Sequence, residues 1–158
     1  MRIDNYNFAS AYERHKNTVY SVIFSYVRNK EDALDLMQET FIRLLKADVE
    51  FESDEHVKAW LIRVACNLCK NLLRDNSKFS GDEIPEQPYY DNHEDDTVLQ
   101  KVMQLPEKYR IPIHLFYYED YSIQQIAEVL HIREGAVKVQ LKRGRDKLKE
   151  MLDGEDFL

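Results

Sequence analysis

SIQQIAEVLHIREGAVKVQLKRGRDKLKEML, residues 122–152, reads as two short helices around a tight turn. Ser122 and Gln125 have the spacing of a capping box, in which a hydroxyl and an amide satisfy two backbone N–H groups at a helix start. Ile126, Val129 and Leu130 give the first helix an apolar face, and Ile132, Val137 and Leu141 carry that face past the turn. The second helix is therefore docked along one side. From Arg133 to Lys149 it holds seven Lys or Arg and two acids, a net +5, and Lys138, Lys142, Arg145 and Lys149 recur at helical spacing on its free side. A cationic helix face opposite a packed one suits a phosphate backbone. A basic run by itself is usually only a solvated surface; the cap, turn, packing pattern and charge together predict a nucleic-acid-binding helix-turn-helix.

Working outward, the 158-residue chain has four Gly and four Pro, and apolar residues recur three and four apart along most of it. No alternating run is bounded by turn signals, so the expected class is all-α, with two small domains rather than one medium core. Residues 1–10, MRIDNYNFAS, lack the apolar core of a signal peptide, and no stretch reaches the roughly 20 apolar residues of a membrane span. A cytoplasmic protein is expected. Two cysteines cannot make a disulfide framework in a chain of this size.

The net charge of −7 is laid out in blocks. Residues 31–55 sum to −7, residues 56–78 to +4, residues 79–100 to −7 and residues 133–149 to +5. A protein that only coats nucleic acid has little use for acidic blocks, whereas one that also docks on a basic protein surface does. Residues 79–97, FSGDEIPEQPYYDNHEDDT, have no Lys or Arg and no helical period, and are predicted to be an acidic linker between domains 1–78 and 98–158.

Three helices are predicted before the linker. The first runs from about Phe8 to Arg28. The second starts near Lys30, with Ala33, Met37, Phe41 and Leu44 or Leu45 inward. The third spans about Glu55 to Asp75, burying Val57, Trp60, Leu61, Val64, Leu68 and Leu72, with the stripe centred on Trp60, Val64 and Leu68. Opposite that stripe, Arg63, Asn67, Lys70 and Arg74 follow at steps of four, three and four, a second polar face able to meet DNA. Between the second and third helices lies an acidic stretch whose single aromatic, Phe51, is open to two roles, lining a pocket for an unstacked base or filling the core; Ser53 or Asp54 fits a helix cap. Asp35, Gln38 and Glu39 line one side of the second helix, either a solvated face or a docking stripe. Cys66 and Cys69 lie three apart on a helix, too far for a good disulfide and without two further zinc ligands. The five histidines have no ligand spacing, and no nucleophile motif or phosphate loop occurs. No metal, cofactor, small-molecule substrate or enzymatic activity is expected. After the linker, Leu99–Met103 opens the second domain and Leu105-Pro106-Glu107 begins a helix that contains Pro112, where a backbone hydrogen bond is lost and a kink can form.

With both halves in view, the chain resembles the short extracytoplasmic-function (ECF) sigma factors of bacterial RNA polymerase. EDALDLMQETFIRLLKA (31–47) is similar to the family's polymerase-binding helix, WLIRVACNLCKNLLR (60–74) to its promoter-melting helix, and LPEKYR (105–110), YSIQQIAEVL (121–130) and GAVKVQLKRGRDKL (135–148) to the domain that reads the minus-thirty-five element. The resemblance implies that Asp35, Gln38 and Glu39 dock on the β′ clamp helices of core RNA polymerase, and that the second domain meets the β flap. It implies minus-ten contacts from Phe51, Arg63, Asn67, Lys70, Asn71 and Arg74, with a flipped base captured nearby. Arg133, Lys138, Lys142, Arg143 and Arg145 would serve the minus-thirty-five element of promoter DNA, and an anti-sigma factor is the usual further partner. His131 stands where the family's turn usually has Gly, Arg133 where a capping Ser is common and Ala136 where Thr often meets a phosphate. Histidine tolerates the left-handed backbone such a turn needs, and Arg133 can reach a phosphate itself. The rival reading is a stand-alone helix-turn-helix regulator that binds duplex DNA without polymerase; a third, from the cysteines, is a thiol switch.

Overall fold

The computed structural model describes residues 1–75 and 97–153, and the regular structure among them is entirely helical. The helices fall into two compact units. The first holds α1 (Phe8–Val27), α2 (Lys30–Lys46) and α3 (Asp54–Asp75), each packed on the other two. Val19, Val22 and Ile23 of α1, Ala33, Phe41 and Leu44 of α2, and Val57, Leu61 and Ile62 of α3 are buried together. Each of these side chains larger than Ala33 contributes about 1.5–3 kcal/mol on leaving water. α1 stops one residue before the predicted Arg28, which takes a left-handed conformation (φ 59°) and donates its N–H to the Phe24 carbonyl at 2.8 Å. Asn29 at once caps α2, its side chain accepting from the Asp32 N–H at 2.8 Å. That short link turns the chain back on itself and makes α1 and α2 neighbours.

On α3 Val57 and Leu61 are buried as predicted, but the rest of the core stripe is rotated from the predicted one. Ala65, Cys66 and Cys69 are buried with Leu61 and Ile62, while Trp60, Val64 and Leu68 are half-buried at the edge. The physical reason is that α3 packs on two helices, so small side chains take the middle of a broad buried arc and the larger ones close its margin.

The second unit holds α4 (Thr97–Gln104), α5 (Glu107–Tyr117), α6 (Ile123–Leu130) and α7 (Glu134–Asp153), with α7 packed on the other three. The predicted linker lies outside the described residues except for Thr97, which is the first residue of α4. α5 runs through the buried Pro112. Ser122 and Gln125 form both halves of the capping box, at 3.1 Å from the Gln125 N–H to the hydroxyl and 2.8 Å from the Ser122 N–H to the side-chain amide oxygen. α6 ends on His131 at φ 58° and ψ 43°, so histidine supplies the left-handed residue of the turn. Ile126, Ala127 and Val129 are the buried face of α6; Leu130 and Ile132 are half-buried. Gly144 fixes how closely α7 lies on α5, because a Cβ there would stand 2.9 Å from Ile113 Cγ1 and 3.3 Å from Tyr109 Cβ.

Candidate functional site

Helical spacing and burial together decide which side chains each unit presents to a partner. On α7, Val137, Leu141 and Gly144 are buried and Lys138, Lys142, Arg143 and Arg145 are exposed, as is Arg133 just before the helix. Lys142 pairs with Asp146 at 3.3 Å along the helix. Arg145 stands apart from the others: its Nη1 donates to the Tyr117 hydroxyl at 3.4 Å, which turns it toward α5. The spacing of charges groups Arg145 with the outward cations, because it does not show a hydrogen bond to a residue 28 positions earlier. Arg133 precedes α7, with its carbonyl accepting from the Val137 N–H at 3.1 Å. Its side chain cannot cap the helix as Ser would, leaving the guanidinium for another anion.

On α3, Arg63, Asn67, Asn71 and Arg74 are exposed and Lys70 is half-buried. Arg74 donates to the Asn71 side chain at 3.3 Å. The half-buried Trp60 borders this polar face and meets Phe51 edge-on, with ring centroids 5.9 Å apart. Phe51 is only 1 % exposed and also packs on His56 at 5.1 Å. Of its two predicted roles, the packing favours the core: a ring closed on both sides has no free face on which a base could stack. It holds Trp60 and His56 in place instead. Ser53 caps α3, accepting from the His56 N–H at 3.1 Å.

The acidic stretch before α3 is less repulsive to phosphate than its sequence implies. Asp48 is paired with Arg2, and Glu50 lies 3.3 Å from Arg2 Nε. Asp54 accepts from the buried His15 at 2.9 Å and from Arg14 at 3.0 Å. Partial burial opposes ionisation of Asp54, but the hydrogen bonds from His15 and Arg14 outweigh it and hold the carboxyl below its ordinary value.

α2 presents a different surface. Asp35 and Gln38 are exposed, and Glu39 is half-buried and paired with Arg43 at 3.1 Å. Between them emerge Leu34 at 42 %, Ile42 at 37 % and Leu45 at 42 % exposure. Leu45, offered in the sequence as an alternative to Leu44 for the core, faces out, and Leu44 is the buried one. Beside this face an apolar groove of about 460 Å3 runs between α1 and α2, lined by Phe8, Tyr12, Met37, Phe41 and Ile42 among others. The sequence pattern shows only the polar half of this surface, because apolar residues on a helix are by default expected inward. In the second unit a further groove of about 510 Å3 is lined by Val98, Val102, Ile113, Tyr117 and Leu148, with Arg145 and Lys149 at its rim.

Cys66 and Cys69 are reduced thiols buried in the core of the first unit. Burial pushes the Cys66 thiol up to about 12, against a smaller opposing effect from a hydrogen bond with Tyr26. Among the described residues no three His, Cys, Asp or Glu side chains cluster as metal ligands, and no helix is long and apolar enough to cross a membrane.

Residues 11–79 match the model of Sigma-70 region 2, and residues 95–148 match Sigma-70, region 4. The RNA polymerase sigma factor SigV of Bacillus subtilis is 31 % identical over 148 residues, covering 90 % of this chain and 89 % of that protein. The ECF RNA polymerase sigma factor SigW of the same organism is 29 % identical over 165 residues, covering 92 % and 88 %. The sigma factor RpoE from Bartonella quintana, solved with the anti-sigma factor NepR, shares the fold at a TM-score of 0.73 and 20 % identity, over 93 % of this chain and 97 % of that one.

Proposed function

The chain belongs to the extracytoplasmic-function sigma factors of the sigma-70 family, and from that premise we propose how its two units divide the work of starting transcription. Binding to core RNA polymerase falls to α2: Asp35, Gln38 and Glu39 supply charge for a basic helical surface of the β′ clamp, and Leu34, Ile42 and Leu45 supply the apolar area that charge alone lacks. A docking face needs both, since exposed ion pairs by themselves contribute roughly 0–1 kcal/mol each. The groove bordered by Val102 and Tyr117 takes an apolar helix of the β flap as the second polymerase contact.

DNA recognition is shared. Arg63, Asn67, Lys70, Asn71 and Arg74 on α3 serve the minus-ten element, with Trp60 at their margin as the aromatic surface for an unstacked base. Arg133, Lys138, Lys142 and Arg143 serve the minus-thirty-five element, and Arg145 steadies the α5–α7 junction beside the phosphate backbone. The chain supplies binding and specificity; bond formation belongs to the polymerase, so no catalytic residue is assigned and no cofactor is required. An anti-sigma factor is the expected negative regulator, and it inhibits by covering the same apolar surfaces.

The observation that carries this reading is the pairing of unlike faces: an acidic and apolar one on α2, cationic ones on α3 and α7. A stand-alone regulator has no use for the first. Transcription from a fragmented genomic library, with core polymerase plus or minus this protein, tests it. New start sites sharing two spaced upstream elements are expected only with the protein. Folded protein and active core without new starts would refute the assignment.

A further inference from the structure

We infer that Val139 of α7 reads the methyl group of a thymine in the minus-thirty-five element, an assignment that rests on α7 being the helix that enters the major groove. Val139 is 47 % exposed. With Val137, Leu141 and Gly144 buried, a helical step of about 100° per residue puts Val139 near the outward pole of α7. Its neighbours one turn earlier are Gly135 and Ala136, and one turn later Lys142 and Arg143. A Cβ built on Gly135 would meet nothing within 4 Å, so the approach to Val139 from the start of the helix is open. Over the first turns of α7 the pole is thus small and apolar, with cations to either side; Asp146, two turns beyond Val139, is paired with Lys142 at 3.3 Å.

That arrangement matches the groove it is proposed to fill. A helix in the major groove, which is about 12 Å wide, turns its flanks to the phosphate walls and its pole to the base edges. Lys138 and Lys142 on one flank and Arg143 on the other have charge for the walls. An aliphatic side chain at the pole cannot donate or accept a hydrogen bond. The apolar feature that bases offer in the major groove is the C5 methyl of thymine. A β-branched side chain also loses χ1 freedom in a helix, a slight cost in the free protein that covering its methyls on binding offsets. An exposed valine elsewhere on a surface would carry no such meaning; its place among these cations is what identifies the occupant.

The test uses the full chain with core polymerase and a promoter recovered by the transcription experiment. Each thymine of the minus-thirty-five element is replaced in turn by 2′-deoxyuridine, which removes the methyl and leaves every hydrogen-bonding group. Binding is measured for the wild type and for Val139→Ala. One replacement is expected to weaken wild-type binding about fourfold, the value of one buried methyl-sized group, and to leave Val139→Ala binding nearly unchanged. A penalty of equal size in both proteins, or none at any thymine, overturns the assignment. The double variant Lys142→Ala, Arg143→Ala separates the two levels of the argument. If it binds the minus-thirty-five element like wild type, the placement of α7 in the groove fails and the valine assignment with it; if it binds weakly while the uridine penalty survives Val139→Ala, only the valine assignment fails.

Discussion

Cys66 lies in the core of the first unit with its thiol pushed up to about 12, and thiolate is the form that reacts with peroxide, disulfides or metal. Native protein is therefore expected to resist a thiol reagent such as DTNB, with labelling of both cysteines appearing only as denaturant unfolds the first unit. Promoter activity of Cys66→Ser, Cys69→Ser should match wild type with and without oxidant; a loss of oxidant response in the double variant would revive the thiol switch. Asp54 gives the opposite kind of titration. Its folded-state value is held below the ordinary 3.8 by His15 and Arg14, so its contribution is present above about pH 4 and lost as pH falls through the folded value. Since its side chain is 46 % exposed, water screens the pairs and the effect is small. In urea titrations from pH 5 to 3, the stability gap between wild type and Asp54→Asn should narrow toward acid; a constant gap would count against the pairing. Single residues were the least legible part of the sequence. Phe51 stood equally for a base pocket or the core, because an isolated aromatic in an irregular stretch carries no periodicity. Only its rings' neighbours, Trp60 and His56, decide.

Elements were far more legible, since helix starts are chemistry written locally. Ser122 and Gln125 announced α6 by spacing alone, and the observed bonds have that geometry. Ser122→Ala should lower the stability of the second unit by about 1 kcal/mol in urea unfolding. Rotation of a helix about its own axis was harder to read. α3 turned its small residues inward because it faces two partners, and a hydrophobicity pattern weights Trp60, Val64 and Leu68 more heavily than Ala65 or Cys69. The same limit hid Leu34, Ile42 and Leu45, whose exposure depends on where α1 and α3 leave off. Gly144 is an element-scale residue of another kind. Alanine would favour the helix by about 1 kcal/mol but must displace Ile113 and Tyr109, and overpacking costs about 1–3 kcal/mol. Gly144→Ala is therefore expected to destabilise the second unit by about 1 kcal/mol and to weaken minus-thirty-five binding through a tilt of α7. Unchanged stability and binding would show that α5 yields without cost.

Across the whole molecule, separate cores imply separable functions. Lys142→Ala with Arg143→Ala should weaken minus-thirty-five binding and spare association with core polymerase, while Asp35→Lys with Glu39→Lys should do the reverse; equal loss of polymerase binding in both would contradict the division. Stability effects of Asp54→Asn and Gly144→Ala, set in different units, should add. The all-α class and the helix-turn-helix were legible because each rests on short-range pattern, whereas the surfaces for partners depend on packing that no local window contains. The chain's total of −7 sets a limit on what it does by itself. Purified protein should give no specific gel shift at physiological salt, and the holoenzyme should. The acids exposed beside the apolar face of α2 carry this into the population of molecules in a cell. A genome presents on the order of 10^6–10^9 incidental sites, and a cationic regulator would be diluted across them. An anionic one is left in the free pool, so the number of promoters it fires follows its own abundance and the supply of unoccupied polymerase, and a modest change in synthesis or sequestration is felt at once.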